Sequence, residues 1–120
     1  MTGLQNPKMN ATLKKEIEKT LALALLNLET QEEALKFLRE FLTSKEFEIL
    51  SKRLGVIYWL SKKRSYVNIQ NNLKVSAKTI SDTRKIADKD IVKKIIKRID
   101  ADEWATKWSN NLKRLVKNWS

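Results

Sequence analysis

Punctuation is nearly missing from this chain. Two glycines and one proline stand among 120 residues, and both Gly3 and Pro7 fall within the first seven. A backbone so poor in turn residues and so rich in Ala, Leu, Glu and Lys propagates helices and offers few sites for hairpins. The expected fold class is all-α. The length suits one domain, and 42% apolar residues suffice for a core.

The breaks between helices are written in capping residues. Met1 to Met9 is polar and reads as a flexible tail. Asn10 or Thr12 starts a first helix with Leu13, Ile17, Leu21, Leu25 and Leu28 along one stripe. Thr30 with Glu33 then opens a helix whose apolar positions are Leu35, Leu38, Phe41 and Leu42, and Thr43 with Glu46 opens another. That third helix, from Ser44 to about Lys62, is apolar on two sides: Phe47, Leu50, Leu54, Ile57 and Tyr58 on one, Ile49, Val56 and Leu60 on the other. A helix apolar on more than one side has to be surrounded, and a few short helices do that with difficulty, so a second subunit is the expected cover.

From Ser65 to Lys85 the chain reads SYVNIQNNLKVSAKTISDTRK, the pattern of a helix-turn-helix. Ser65 caps a first helix that buries Val67, Ile69 and Leu73. The turn passes through Leu73, Lys74 and Val75, and Ser76 caps a second helix that buries Ile80. Ala77, Lys78, Thr79 and Ser81 are left outward: small, hydroxylated or basic, as suits a DNA major groove. Capping serines and spaced aliphatics also build ordinary helical corners. Charge favours the DNA reading, because twelve Lys/Arg face three Asp between residues 61 and 99, while the rest of the chain is nearly balanced. Cations concentrated on one segment supply sequence-independent DNA affinity by releasing counterions.

Beyond the motif, Asp88 or Asp90 caps a helix with Ile91, Val92, Ile95, Ile96 and Ile99 on one side and Lys93, Lys94, Lys97 and Arg98 largely on the other. Asp100 with Glu103 reads as another helix start, followed by a stripe of Trp104, Trp108, Leu112, Leu115, Val116 and Trp119. Packing in a core or a dimer interface is the expected use of that stripe, ahead of lying on an anionic membrane. Lys113, Arg114 and Lys117 could reach flanking phosphates. The expected divisions are a tail over 1–9, a helical dimerisation core over 10–62, the helix-turn-helix over 63–88, and basic and Trp-rich helices packing on the core over 89–120.

Several functional classes lack their residues. Without cysteine or histidine there is no disulfide, no thiolate site, and neither the commonest general base nor the commonest metal ligand. No HExxH, GxSxG, phosphate loop or paired carboxylate site occurs, so no enzyme is expected. The apolar run Leu21 to Leu28 is too short to cross a bilayer, and the N-terminus lacks the pattern of a signal peptide.

The run from about Leu26 to Ala87 resembles the Trp-repressor superfamily, in its branch of small Trp-repressor-like regulators. The resemblance is carried by LETQEEALKFLREFLT, SKEFEILSKRLGVIYWL, SYVNIQ and VSAKTIS, in that order and spacing. It implies an intertwined all-helical homodimer and a sequence-specific regulator, usually a repressor, of double-stranded DNA; the helices that follow go beyond the resemblance as a C-terminal helical extension. Thr43 and Arg53 match the family's pattern near the corepressor pocket, Arg53 standing where the first of two indole-sandwiching arginines would be. The second position holds Asp82, and the glycine after it is Thr83. A carboxylate does not stack on indole as a guanidinium does, and a threonine narrows the space glycine leaves open. No cofactor is therefore expected, L-tryptophan included, and Arg53 is expected to pair with Glu46 or Glu48. Lys74 replaces the glycine common in this turn.

The expected mechanism is binding without chemistry. Gln70, Ala77, Lys78, Thr79 and Ser81 are the candidates for base readout, and Lys62, Lys63, Arg64, Lys74, Arg84 and Lys85 for phosphate contacts. The expected location is the prokaryotic cytoplasm, on the nucleoid. Other classes that fit are a helical module for an acidic protein partner and the DNA-binding part of a transposition system.

Overall fold

The computed structural model describes residues 7–119, without the side chains at 108, 116, 118 and 119. The expected tail lies outside the described residues except for positions 7–9, and the expected parts of Trp108, Val116 and Trp119 in the C-terminal stripe lie outside them too. Among the described residues the chain forms six helices and no strand: α1 (Ala11–Leu26), α2 (Gln31–Phe41), α3 (Ser44–Ser61), α4 (Tyr66–Leu73), α5 (Ala77–Ala87) and α6 (Asp90–Trp119). The fold class is all-α, as expected. Contacts divide the chain into two compact units, with the boundary between Phe47 and Glu48.

In the first unit the capping residues set the helix ends. Asn10 Oδ1 accepts from the backbone N–H groups of Thr12 (2.9 Å) and Leu13 (3.2 Å). Thr30 Oγ1 accepts from Glu33 N–H at 3.0 Å, while Glu33 reaches back to Glu29 N–H. The box at α3 is reciprocal: Glu46 N–H donates to Thr43 Oγ1 at 3.1 Å and Thr43 N–H to Glu46 Oε1 at 2.8 Å. These bonds satisfy donors in the first turn, or just before it, that the helix itself cannot. On α2 the rings of Phe37 and Phe41 stack with centroids 5.2 Å apart, and Phe41 is exposed. The α1 stripe of Leu13, Ile17, Leu21 and Leu25 is 46–49% exposed.

The core of the second unit is the helix-turn-helix itself. Val56 of α3, Ile69 of α4 and Ile80 of α5 are fully buried, and Trp59, Leu60, Tyr66, Leu73 and Val75 pack against them. Val67 does not join them; it is 65% exposed. Tyr66, Ile69 and Leu73 already fill the inward stripe of this eight-residue helix, and Val67 lies nearly opposite Ile69 around the axis. Of the two apolar sides of α3, one buries Ile57 and the other Val56, while Leu50 and Leu54 on the first and Ile49 on the second remain 44–47% exposed.

Two expected helix starts are corrected. Neither Asp88 nor Asp90 is the cap of α6: Asp88 closes α5, Asp90 is already the first helical residue, and Lys93 N–H bonds back to Lys89 C=O. Asp100 and Glu103 start no helix, because α6 runs through them unbroken. A capping box needs a chain reversal or break before it, and the Lys-rich stretch ahead of Asp100 holds no breaker. Both carboxylates are instead bonded to α3: Tyr58 Oη donates to Glu103 and, at 3.4 Å, to Asp100, and Lys62 is ion-paired with Asp100.

The end of α3 shows how the chain turns without glycine. Lys63 N–H bonds to Leu60 C=O at 3.0 Å and Arg64 N–H to Trp59 C=O at 3.2 Å, the bond pair of a Schellman motif. Its left-handed position, where glycine is usual, holds Lys63 at φ 63°. Lys74 holds the same left-handed position at the end of α4, with φ 57° and ψ 50°, but with a single bond, from its N–H to Gln70 C=O at 3.0 Å.

Candidate nucleic-acid interface

The second helix of the motif, α5, presents one buried and one open face. Ile80 is fully buried and Thr83 nearly so, with Ile86 and Ala87 half-buried behind them. Lys78, Ser81, Asp82 and Lys85 follow the helical repeat on the opposite side and are all exposed. Ala77 and Thr79 are exposed on the first turn. Ser76 Oγ accepts from Thr79 N–H at 3.1 Å and lies 2.9 Å from Thr79 Oγ1. The cap that starts the helix thus also orients the threonine hydroxyl at its tip. Four of the five base-readout candidates stand together on this open turn; Gln70 stands apart on α4 and is half-buried.

Electrostatics along α5 are not uniformly positive. Lys78 Nζ donates to Asp82 Oδ2 at 2.9 Å, with the two side chains 85% and 57% exposed. The hydrogen bond, and then the opposite charge, hold Asp82 below the ordinary carboxylate range and Lys78 above the ordinary lysine value. Arg84 and Lys85 occupy the last turn, where cations complement the helix dipole.

The remaining phosphate candidates lie where the helices of the motif begin and end. Lys74 sits in the left-handed turn between α4 and α5. Lys63 holds the left-handed position after α3, and the Arg64 guanidinium lies 4.0 Å over the Trp59 ring while donating to Asn68. Lys62 is less free than its place in the sequence suggests. It is bound to Asp100, which raises the lysine's pKa and lowers the carboxylate's. Sequence spacing gives no sign of this pairing, since the partners are 38 residues apart.

The positions that the resemblance assigns to an effector separate in role. Thr43 is engaged in the α3 capping box. Arg53 lines a cavity of about 380 Å³ together with Thr79, Asp82 and Thr83. The expected pairing of Arg53 with Glu46 or Glu48 is not found among the described residues: Glu48 pairs with Lys52, and Glu46 with the backbone of Thr43. The i,i+4 spacing favours Lys52 over Arg53 for Glu48. No cluster of acidic residues able to hold a metal occurs among the described residues.

A family profile described as Trp repressor protein matches residues 16–98. The chain belongs to the Trp repressor family. The match runs from the first turns of α1 through the whole helix-turn-helix and into α6, so the exposed turn of α5 falls within it. Trp repressor proteins are regulatory and DNA-binding, not enzymatic, and the chain is a helix-turn-helix regulator of that kind. No curated protein and no solved structure matches the chain. Among the described residues no helix is long and apolar enough to cross a membrane.

Proposed function

We propose that this chain is a sequence-specific transcriptional repressor that binds a palindromic duplex operator as a homodimer. The observation that carries the reading is the first turn of α5, where Ala77, Lys78, Thr79 and Ser81 stay exposed above the buried Ile80 and Thr83. The methyl groups of Ala77 and Thr79 suit the thymine methyl, and Lys78 donates to guanine acceptors. Ser81 bonds to either kind of edge, and Gln70 to a phosphate or a base edge. Lys62, Lys63, Arg64, Lys74, Arg84 and Lys85 hold phosphates and fix the register. For Lys62 this requires exchange of Asp100 for a DNA phosphate.

Dimerisation is supported by the half-exposed leucine and isoleucine stripe of α1 and by Ile49, Leu50 and Leu54 on α3. Two copies related by a two-fold axis present two α5 helices to successive major grooves, with half-sites about 34 Å apart. The protein acts in the prokaryotic cytoplasm, on the nucleoid. L-tryptophan is not its effector, since the cavity at Arg53 is also lined by Asp82, a carboxylate bonded to Lys78, where indole stacking calls for a second guanidinium.

Selection of bound sequences from a random duplex pool tests the reading. A palindromic consensus with that spacing is the expected result; enrichment of no sequence overturns it.

A further inference from the structure

Where the end of α3, the start of α4, the end of α5 and the first turns of α6 meet lies a cavity of about 530 Å³. Its floor is apolar: Ile57 and Ile96 are 5% and 6% exposed, and Leu60 is half-buried. Its rim is cationic. Lys63 and Arg64 come from the α3–α4 turn, Arg84 from α5, and Lys93 and Lys97 from successive turns of α6, against one carboxylate, Asp88.

None of these five cations belongs to an ion pair found among the described residues; those pairs engage Lys36, Lys52, Lys62 and Lys78. Arg64 is occupied, but by the Trp59 ring and Asn68 rather than by an anion. Lys63 is held in the left-handed conformation that side-chain-bearing residues avoid, and such positions gather at functional sites. Like charges around low-dielectric walls focus a positive potential into the space between them. The volume falls in the range of small-molecule sites, about 300–1,000 Å³. An inorganic anion alone would leave the apolar floor wet, and a neutral hydrocarbon would desolvate the cations without compensation.

We propose that this cavity binds a small amphiphilic anion, its carboxylate or phosphate head on the cationic rim and its hydrocarbon body over Ile57, Leu60 and Ile96. The site shares no lining residue with the cavity that joins Arg53 to Thr79, Asp82 and Thr83, and a second, apolar cavity lined by Arg53 adjoins it at Ile57 and Ile96. It also supplies regulation, in a part that rests on the function proposed above: Lys63, Arg64 and Arg84 are among the cations assigned to DNA phosphates. A bound anion neutralises them and releases the duplex.

The test is calorimetric titration of the full chain with octanoate and with octyl phosphate below micelle-forming concentrations, with octanol and inorganic phosphate as the separate halves. Saturable binding of one amphiphile per chain is expected, with each half about tenfold weaker or more, and with the methyl resonances of Ile57 and Ile96 shifted. The head group that binds more tightly identifies the ligand class. In a Lys93→Ala/Lys97→Ala variant, folded by circular dichroism, affinity for both probes falls by about tenfold, as loss of two exposed charge contacts implies. Halves that bind as well as the whole, unmoved methyl resonances, or an unaffected variant would overturn the site. If the probe binds and duplex affinity does not fall, the regulatory coupling is overturned and the site stands. A chain that binds the probe but no duplex at all overturns the DNA reading instead.

Discussion

Lys78 Nζ lies 2.9 Å from Asp82 Oδ2, one turn further along α5, at the centre of the helix's exposed stripe. The contact gives the long lysine side chain a preferred direction along the helix surface. In the proposed complex it also brings a carboxylate close to the polyanionic duplex. Exposure of both partners makes the pair weak as a source of stability, so its consequence is for binding. Asp82→Asn is expected to tighten binding to all duplexes by a few-fold and to steepen the salt dependence. Discrimination at the base pair read by Lys78 should fall as the side chain loses its guide. Fluorescence anisotropy across a salt series checks both, and unchanged slope and preference would remove the pair from the interface.

The link between α3 and α6 has a definite pH window. Asp100 is held below its ordinary value of 3.8, so its contribution is present above that pH and lost as pH falls through the lowered value. Lys62 is raised above 10.5, so its contribution is present below 10.5 and lost as pH rises through the raised value. Tyr58 is raised above 10.0, first by its hydrogen bond to Glu103, and loses that bond as it ionises. The link therefore holds across neutral pH and fails at both extremes. Glu103→Ala removes the leading cause at Tyr58, and tyrosinate absorbance should then appear at lower pH than in the parent chain. Superimposable titration curves would show that the bond does not form in solution.

Lys63 and Lys74 sit in left-handed conformations that cost a side-chain-bearing residue about 1 kcal/mol. Glycine removes that cost while losing more chain entropy on folding. Lys74→Gly is expected to raise stability by about 0.5–1 kcal/mol in urea denaturation. A loss of similar size would mean that the lysine side chain supports the turn by contacts of its own.

Packing and capping should separate by magnitude. Ile80→Ala empties a fully buried position shared by three helices and is expected to cost about 2–5 kcal/mol. Thr43→Ala removes one partner of the reciprocal box at α3 and should cost about 1 kcal/mol. Equal losses would contradict the assignment of the core to the motif.

Local patterns were legible in the sequence wherever local bonding decides the outcome. Asn10, Thr30, Thr43, Ser65 and Ser76 all accept bonds from first-turn N–H groups, and Ile69 and Ile80 are buried as their spacing predicts. Long-range bonding was not legible. Asp100 and Glu103 imitate a capping box, but no breaker precedes them, a continuous helix passes through, and Tyr58 and Lys62, some forty residues earlier, engage their oxygens. Val67 was misplaced because a short helix has room for one inward stripe, which Tyr66 and Ile69 take. The cationic cavity gave no signal, since its rim is assembled from three separate stretches of chain.

The central claim is that the open turn of α5 reads bases while the flanking cations hold the backbone. Equilibrium affinities of Lys78→Ala and Lys85→Ala for a selected operator and its single-base variants test it most directly. Lys78→Ala is predicted to erase discrimination at one base pair per half-site, on the order of tenfold, and to leave the others intact. Lys85→Ala should weaken every sequence alike and lower the salt slope by about one unit. Identical, uniform losses in the two variants would contradict the account.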